Sequence, residues 1–363
     1  MAWTYHNPVA VTFGGGTLDA LPAIVASRRT VLVAFPEAAA LGHLDAVRRR
    51  LGGALAGVVD DIEPNPDVVH LRDLHARFWR DYGSCDAIVA MGGGSTLDTA
   101  KVLAVTPPSG DFDDLVARLA EGTPFAPGRT KALIAIPTTA GTGSEVTPWA
   151  TVWDRASGRK HSLHLRETWP EAAIVDPALT ASAPHAITLQ SGLDALSHAL
   201  EAIWNVNANA VSDTLAIAAA RRMLRTLPRL AGQLDDASLR EQASLAALEA
   251  GLAFSNTRTA LAHSISYEMT LRHGVAHGIA CSFTLPLVLE RALGRRPDRD
   301  AVLAQVFDVP LAHAPAHLAA WLAALGVSTR FESYGVAADE SRAIIAAALE
   351  GTRGRNFIGA TSG

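Results

Sequence analysis

The sequence predicts an α/β protein in which a parallel sheet occupies the first half of the chain and helices occupy the second. Up to about residue 180, short β-branched runs alternate with helical segments, which is typical of βα units that build a parallel sheet. Beyond that point, alanine- and leucine-rich stretches such as TLAIAAARRMLRTL (214–227) repeat with helical spacing. The length of 363 residues also favours two domains. The predicted strands are TVLVAF (30–35), GVVDDI (57–62), DAIVAMGGGS (86–95), KALIAIPTTAGTGSE (131–145) and AAIVDPALT (172–180).

Charge and composition argue against several kinds of partner. The net charge is −5 and basic residues form no long run, which argues against binding of nucleic acid or of an anionic membrane surface. The start, MAWTYHNPVAV, lacks a basic segment followed by an apolar one, and no apolar run approaches the roughly 18 residues of a spanning helix. We therefore expect a soluble, cytoplasmic protein. Cys85 and Cys281 lie far apart, so we expect two ordinary buried thiols.

Two glycine- or hydroxyl-rich loops follow two of the predicted strands. Gly92, Gly93, Gly94 and Ser95 separate the apolar run AIVAM from a predicted helix, and free backbone N–H groups at a helix start favour a phosphate. The second loop, PTTAGTGSE (137–145), offers hydroxyl groups to a ribose or a carboxamide. Ligands of open parallel sheets bind at the carboxyl ends of the strands, so the pair predicts a dinucleotide site. A glycine turn without a ligand is the alternative for either loop alone.

The histidines point to a metal site. Asp194 and His198 are four residues apart and share one face of a helix, where an intrahelical ion pair is the simpler interpretation. His263 and His277 would lie about 21 Å apart on one continuous helix. Glycines at 274 and 278 allow the chain to break and return, so the four side chains can converge on one ion. One carboxylate and three imidazoles suit Fe²⁺ or Zn²⁺.

Taken in order, these motifs resemble the iron-dependent (group III) alcohol dehydrogenases over almost the whole chain. The matching strings are EPNPD (63–67), MGGGSTLDTAK (91–101), IPTTAGTGSEVT (136–147), VDPALT (175–180), GLDALSHALE (192–201) and HGVAHGIACSFTLP (273–286). The resemblance implies a Rossmann-like dinucleotide-binding domain at 1–179, an all-helical metal-binding domain at 180–363, and an active site in the cleft between them. It also implies a homodimer or larger homo-oligomer.

The resemblance assigns roles to individual residues. It implies that Asp194, His198, His263 and His277 are the metal ligands. It places four residues at the pyrophosphate of NADH or NADPH, three at the nicotinamide side, and two at the border of the cofactor. These are Gly93, Gly94, Ser95 and Asp98 at the pyrophosphate, Thr138, Thr139 and Thr142 at the nicotinamide, and Lys160 and Leu179 at the border.

Two positions depart from the family pattern. Many members carry a further histidine four residues after the third ligand, where it assists proton transfer, and this chain has Tyr267 there. Tyr267 and His273 are both candidates for the catalytic proton donor. Phe35 follows the second strand where NAD-selective members carry an aspartate that binds the ribose diol. The choice between NADH and NADPH is therefore left open.

The substrate is inferred from a cationic stretch. Arg258 and Thr257 stand just before His263, and KHSLHLRETWP (160–170) adds further cationic and hydroxyl groups, which together suit an anionic aldehyde. Strings such as GLAFSNTRTALAHSISY (251–267) resemble the phosphonoacetaldehyde reductases of phosphonate biosynthesis, which implies reduction of phosphonoacetaldehyde to 2-hydroxyethylphosphonate. A semialdehyde reductase (for example of succinic semialdehyde), a general short-chain alcohol dehydrogenase and a metal-stabilised binding protein are the alternatives. The predicted substrate contacts are Arg258, Asn256, Thr257, Ser162 and His164.

Overall fold

The computed structural model describes residues 2–360, which form two compact units. The α/β unit contains Pro8–Thr139 and Ser144–Ala183. The helical unit contains residues 184–360 together with two short segments, 2–7 and 140–143. A parallel sheet with helices, followed by a helical unit, is the fold class that the sequence predicts, and it is confirmed. The division at residue 180 into separate functional domains stays a prediction.

The α/β unit is built on a parallel sheet that has six strands in the described part of the chain, in the order β1-β10-β7-β4-β2-β3. Three of its interior strands, β2, β4 and β10, are buried along their whole length, as expected where helices cover both faces of a parallel sheet. Two short antiparallel pairs, β5 with β6 and β8 with β9, lie outside this sheet. The strands are β1 Ala10–Phe13, β2 Thr30–Ala34, β3 Leu55–Val59, β4 Ala87–Gly92, β5 Val105–Thr106, β6 Arg129–Thr130, β7 Ala132–Pro137, β8 Trp149–Asp154, β9 Arg159–His164 and β10 Ala172–Val175. The helices of this unit are α1 Leu21–Val25, α2 His43–Leu51, α3 Val68–Tyr82, α4 Gly94–Leu103 and α5 Phe112–Glu121.

Both predicted cofactor loops start at the same edge of this sheet. β4 and β7 are neighbouring parallel strands, and their last residues, Gly92 and Pro137, face each other in register. β2 lies on the other side of β4 and ends at Ala34, opposite Met91. The carboxyl ends of three adjacent strands therefore meet where open α/β sheets bind their ligands.

The helical unit surrounds α6, which is its most buried helix. Every residue from Gly192 to Ile203 is buried, and α7 packs so closely on α6 that a Cβ on Gly192 would lie 2.6 Å from a methyl carbon of Leu227. None of the helices in residues 2–360 is both long enough and apolar enough to cross a bilayer. The helices of this unit are α6 His185–Ile203, α7 Ala210–Gly232, α8 Ala237–Thr257, α9 Leu261–His273, α10 His277–Ser282, α11 Leu285–Ala292, α12 Pro297–Leu303, α13 Ala314–Ala324 and α14 Ala338–Glu350.

Candidate functional site

The structure brings the four predicted metal ligands together around one carboxylate oxygen. Oδ1 of Asp194 lies 3.3 Å from Nε2 of His263, 3.7 Å from Nε2 of His198 and 3.8 Å from Nε2 of His277. Asp194 and His198 come from adjacent turns of α6, His263 from α9 and His277 from the first position of α10. Asp194, His198 and His263 are buried, whereas the side chain of His277 is 30% exposed, so the cluster is open on one side.

The glycine break that the sequence predicted is present and is what allows this convergence. α9 ends at His273, and Gly274 follows with a left-handed φ of 65°, which glycine adopts without strain. α10 then begins at His277 and crosses α6 at very short distance. A Cβ added to Gly278 would lie only 1.9 Å from the carbonyl oxygen of Gln190, so only glycine fits at this crossing. Gly274 therefore turns the chain, and Gly278 lets His277 approach the ligands on α6.

Cys281 also belongs to this cluster, which the sequence interpretation missed. The prediction that this thiol is buried is correct, but its Sγ lies 3.4 Å from Oδ1 of Asp194. Donor atoms of Asp194, His263, His277 and Cys281 all lie within 4.8 Å of one another. The available signal was its position four residues after His277, which puts both side chains on one face of a helix.

Asp194 and His198 have the protonation states that metal ligands require, while, against the effect of its burial, the carboxylates of Glu201 and Asp194 raise the pKa of His263. Burial raises the pKa of Asp194, but the positive charges that His198, His277 and His263 carry when protonated, with a hydrogen bond from His263, hold it well below the usual carboxyl value. Burial lowers the pKa of His198 to about 4, against the opposing effect of Asp194. At neutral pH the cluster therefore offers a carboxylate and at least one neutral imidazole, which are ligand forms for a divalent cation.

Glu201 is a second residue that the sequence interpretation missed. It is fully buried on α6, and its Oε2 lies 2.7 Å from Nδ1 of His263. The same carboxylate accepts hydrogen bonds from the backbone N–H groups of Ala260, Ala262 and His263, at the start of α9. Because Nδ1 of His263 donates to Glu201, Nε2 is the ring nitrogen that faces Asp194, and it becomes a metal ligand when a cation takes the place of its proton. The spacing from Asp194, seven residues along α6, was the only sequence signal.

The two candidate proton donors lie in different places. Tyr267 stands one helical turn after His263, and burial raises the pKa of its hydroxyl to about 12. His273 is the last residue of α9, about 15 Å along the helix from His263, and its Nε2 lies 3.1 Å from a carboxylate oxygen of Glu340. The structure therefore brings Tyr267 toward the metal cluster and does not bring His273 there.

The first cofactor loop presents the N-terminus of α4. Gly93 is the N-cap of this helix and provides no side-chain cap, so N–H groups of Gly94 and Ser95 belong to the unpaired first turn that favours an anion. The hydroxyl of Ser95 accepts a hydrogen bond from the backbone of Asn65. Thr138 is buried and its N–H donates to Gly92, while Thr139 packs against Gly93.

Asp98 is held by two hydrogen bonds within the α/β unit, and its role at the pyrophosphate stays a prediction. Its carboxylate accepts hydrogen bonds from the hydroxyl of Ser144 and from the N–H of Thr151, both at 2.8 Å. Lys101, whose pKa burial lowers to about 8, donates to the carbonyl and hydroxyl of the same Ser144. These contacts show that Asp98 holds the loop that contains Ser144 against α4.

The remaining predicted cofactor residues are divided between the units. Thr142 belongs to the helical unit. The ammonium of Lys160 on β9 lies 5.1 Å from the ring of Trp153, within its own hairpin. Leu179 and Phe35 both pack in the hydrophobic cluster of the sheet, and Phe35 directly follows β2 as predicted.

The predicted substrate residues are not equally available. Arg258 is exposed, with a left-handed φ of 68°, and Thr257 is buried with its hydroxyl bonded to the carbonyl of Arg258. The side-chain amide of Asn256 is bonded to both backbone polar groups of His6. Ser162 and His164 are exposed on one face of β9, where His164 stacks on Trp149 with ring centroids 5.2 Å apart.

Comparison with known proteins agrees with this arrangement. The sequence profile of the iron-containing alcohol dehydrogenases matches residues 8–177, and that of the C-terminal part of the Fe-containing alcohol dehydrogenase family matches residues 188–362. This chain belongs to the iron-containing alcohol dehydrogenase family. The family that the sequence resemblance predicted is thus confirmed.

Individual family members match this chain to different extents. It is 32% identical over 285 residues to an NAD-dependent methanol dehydrogenase of Bacillus methanolicus, covering 78% of this chain and 73% of that protein. It is 41% identical over 208 residues to the probable alcohol dehydrogenase EutG of Escherichia coli, covering 57% of this chain and 51% of that protein. The match therefore spans about half the length of EutG. Sulfoacetaldehyde reductase of Bifidobacterium kashiwanohense, solved with NAD⁺, aligns over 98% of this chain and 94% of its own, with 27% identity and a TM-score of 0.90.

Proposed function

We propose that this protein is a metal-dependent, NAD(P)H-linked reductase of a small anionic aldehyde. The observation that carries the proposal is the ring of three imidazole nitrogens, from His198, His263 and His277, around one oxygen of Asp194. Fe²⁺ or Zn²⁺ suits this donor set. A structural ion in a binding protein would use the same ligands, but the family to which the chain belongs favours hydride chemistry.

The residues of this cluster fit a catalytic ion better than a structural one. Glu201 orients His263, and Asp194 stays ionised, so the ligands are preorganised without help from the ion. The partial exposure of His277 leaves an approach for a substrate oxygen. Asp194, His198, His263 and His277 would hold a divalent ion that would polarise a carbonyl oxygen, and a bound nicotinamide would supply the hydride. Tyr267, protonated at neutral pH, is the residue we assign to give the proton that the product alcohol needs.

The cofactor is held by the α/β unit. The N–H groups at the start of α4, next to Gly93, are suited to the pyrophosphate, and the hydroxyl groups of Thr138 and Thr139 are suited to the nicotinamide side. Phe35 places no carboxylate directly after β2, so both NADH and NADPH are proposed as reductants.

Phosphonoacetaldehyde is the substrate we propose, with 2-hydroxyethylphosphonate as the product. The strings around Arg258 support it, and the likeness to a sulfoacetaldehyde reductase supports an aldehyde with an anion on the neighbouring carbon. The second candidate is a succinic semialdehyde reductase or a general short-chain alcohol dehydrogenase. The similarity to a methanol dehydrogenase and to EutG, a probable alcohol dehydrogenase, supports a general alcohol dehydrogenase.

A substrate panel on metal-reconstituted protein tests the proposal. Oxidation of NADH and of NADPH is measured with phosphonoacetaldehyde, sulfoacetaldehyde, succinic semialdehyde and propanal. His277→Ala should lose metal and turnover but keep cofactor affinity, whereas His317→Ala, at an exposed position of α13, should keep all three. Full activity in metal-free protein would contradict a catalytic ion. Tight metal binding without turnover of any aldehyde would favour the structural alternative.

A further inference from the structure

Arg353 is a partly buried cation that has no acidic partner among residues 2–360. Its guanidinium lies over the ring of Tyr267, with Cζ 5.1 Å from the ring centroid, and Nη1 donates to the hydroxyl of Thr259 at 3.0 Å. No carboxylate of the described chain lies within ion-pair distance of it. A guanidinium has five N–H donors, so most of its hydrogen-bonding capacity is left for a ligand. A cation that is partly removed from water without a counter-ion is stabilised by an anionic ligand.

Both contacts of Arg353 lie next to the metal cluster. Thr259 is in the short connection that leads into α9, and Tyr267 is one turn beyond the metal ligand His263. Burial raises the pKa of the Tyr267 hydroxyl to about 12, and the charge of Arg353 opposes this rise. Residues four apart on a helix share one face, so Tyr267 and the ligand His263 lie on the same side of α9.

The turn that carries Arg353 is fixed in place. The side chain of Asn356, three residues later, donates to the carbonyl of Thr259 at 2.9 Å. The backbone carbonyl of Asn356 accepts from the N–H of Val206 at 2.8 Å. Gly354 packs so closely that a Cβ there would lie 2.0 Å from the carbonyl oxygen of Ala348. The guanidinium is therefore held by its backbone and by Tyr267 before a ligand arrives, which lowers the entropy lost on binding.

Arg258, the arginine that the sequence analysis selected, lacks these features. Its side chain is exposed, and Asn205 and Thr257 contact its backbone carbonyl. We propose that Arg353, together with the hydroxyl of Thr259, binds the anionic group of the substrate. This inference rests on the proposed function and names the residue that selects for an anionic aldehyde. A guanidinium stacked on an aromatic ring still presents a planar edge to two oxygens of a phosphonate, sulfonate or carboxylate.

The test compares Arg353→Met, Arg353→Lys and Arg258→Met on anionic and neutral aldehydes, with the metal content of each protein measured. Arg355→Met is the matched control, because Arg355 is exposed on the same turn and bonds the carbonyl of Glu350. We expect Arg353→Met to lower kcat/KM for phosphonoacetaldehyde about ten- to a hundredfold more than for propanal, which reports only the effect on Tyr267 and the fold. Arg353→Lys keeps the charge and should recover part of the loss. Binding of 2-hydroxyethylphosphonate, measured by calorimetry, should weaken in parallel.

Two results would overturn the inference and leave the proposed function standing. One is an equal loss on propanal and phosphonoacetaldehyde in both Arg353 variants, which would mean a structural role. The other is a loss specific to the anion in Arg258→Met but not in Arg353→Met. If the unmodified enzyme shows no preference for phosphonoacetaldehyde, sulfoacetaldehyde or succinic semialdehyde over propanal, the anionic substrate itself is wrong and the inference fails with it.

Discussion

Glu201 on α6 holds the imidazole of His263 on α9 by a hydrogen bond of 2.7 Å between Oε2 and Nδ1. This contact keeps a proton on Nδ1, so that Nε2, which faces Asp194, is the ring nitrogen available to a metal ion. The same carboxylate serves as the N-cap of α9, whose own N-cap residue, Ala260, provides no side-chain cap. Glu201 therefore couples the start of a helix to the orientation of a metal ligand.

Glu201→Gln is expected to weaken metal binding by about ten- to a hundredfold. Oε1 of Glu201 accepts from the N–H groups of Ala262 and His263, and Oε2 accepts from Ala260 and from Nδ1 of His263. A glutamine has one acceptor oxygen, so its NH₂ group must face either the N–H groups at the start of α9 or Nδ1 of His263, and the second choice would favour the wrong tautomer. The measurement is competition of Co²⁺ or Zn²⁺ with a chelator. Nitrogen-15 NMR of the histidine rings in metal-free protein reports the tautomer directly.

Glu249→Gln provides the control for Glu201→Gln. Glu249 lies on α8 in the same unit and pairs with Arg222 at 3.2 Å, away from the metal cluster. It should leave metal affinity unchanged. If Glu201→Gln keeps both the metal affinity and the His263 tautomer of the unmodified protein, then Glu201 does not position the ligand.

Cys281→Ala is expected to reduce metal affinity by no more than about tenfold, the range of one lost hydrogen bond. Burial, and then the charge of Asp194, raise the pKa of Cys281 well above its usual value, whereas a ligating cysteine must be a thiolate. We therefore expect the thiol to donate to Asp194 while His198 is the ligand. Near-ultraviolet absorption of the Co²⁺-loaded protein distinguishes a thiol donor from a thiolate ligand. If the unmodified protein shows a thiolate-to-cobalt band that is lost in Cys281→Ala and kept in Cys85→Ala, then Cys281 is a ligand.

The cluster shows which part of the site could be read from the sequence. Asp194 and His198 are linked by helix spacing, and Gly274 marks the turn that returns His277, so local rules predicted their convergence. Glu201 and Cys281 obey the same spacing, but a buried glutamate or thiol has no distinctive pattern, and their roles depend on what α9 and α6 place beside them. Tertiary contacts of this kind cannot be read from one chain's periodicity.

Asp98 and Arg258 show the same limit in the other direction. Asp98 stands in a phosphate-loop motif, yet its carboxylate is used by Ser144 and Thr151, which are 46 and 53 residues further along the chain. Arg258 precedes a metal ligand, yet the backbone turn at its left-handed φ leaves its side chain exposed. Proximity in sequence predicts the neighbourhood of a residue, but the direction of its side chain depends on the backbone at that position and on contacts with distant segments.

Phe35→Asp is expected to shift the kcat/KM ratio toward NADH by about tenfold or more, equivalent to at least 1.4 kcal/mol. Phe35 follows β2 at the carboxyl edge of the sheet, where a carboxylate accepts hydrogen bonds from a ribose diol and repels a 2′-phosphate. Steady-state kinetics with both cofactors measure the ratio, and Glu37→Gln, two residues away and exposed, is the control. An unmodified enzyme that already rejects NADPH by orders of magnitude would show that another residue sets the preference.

Gly278→Ala is expected to lower the free energy of unfolding by about 1–3 kcal/mol and to weaken metal binding as well. The added methyl group would lie 1.9 Å from the carbonyl oxygen of Gln190 on α6. This oxygen belongs to the helix backbone, so it cannot move aside as the end of a flexible side chain could. α10 must then shift away from α6 and carry His277 with it, while Asp194 and His198 stay where they are. Gly232→Ala, at the end of α7 with nothing within 4 Å of the new methyl group, is the matched control and should change neither property. Denaturant unfolding of metal-free protein separates the packing effect from the metal effect. If Gly278→Ala destabilises the fold but binds the metal normally, then the position of His277 does not depend on this close helix contact.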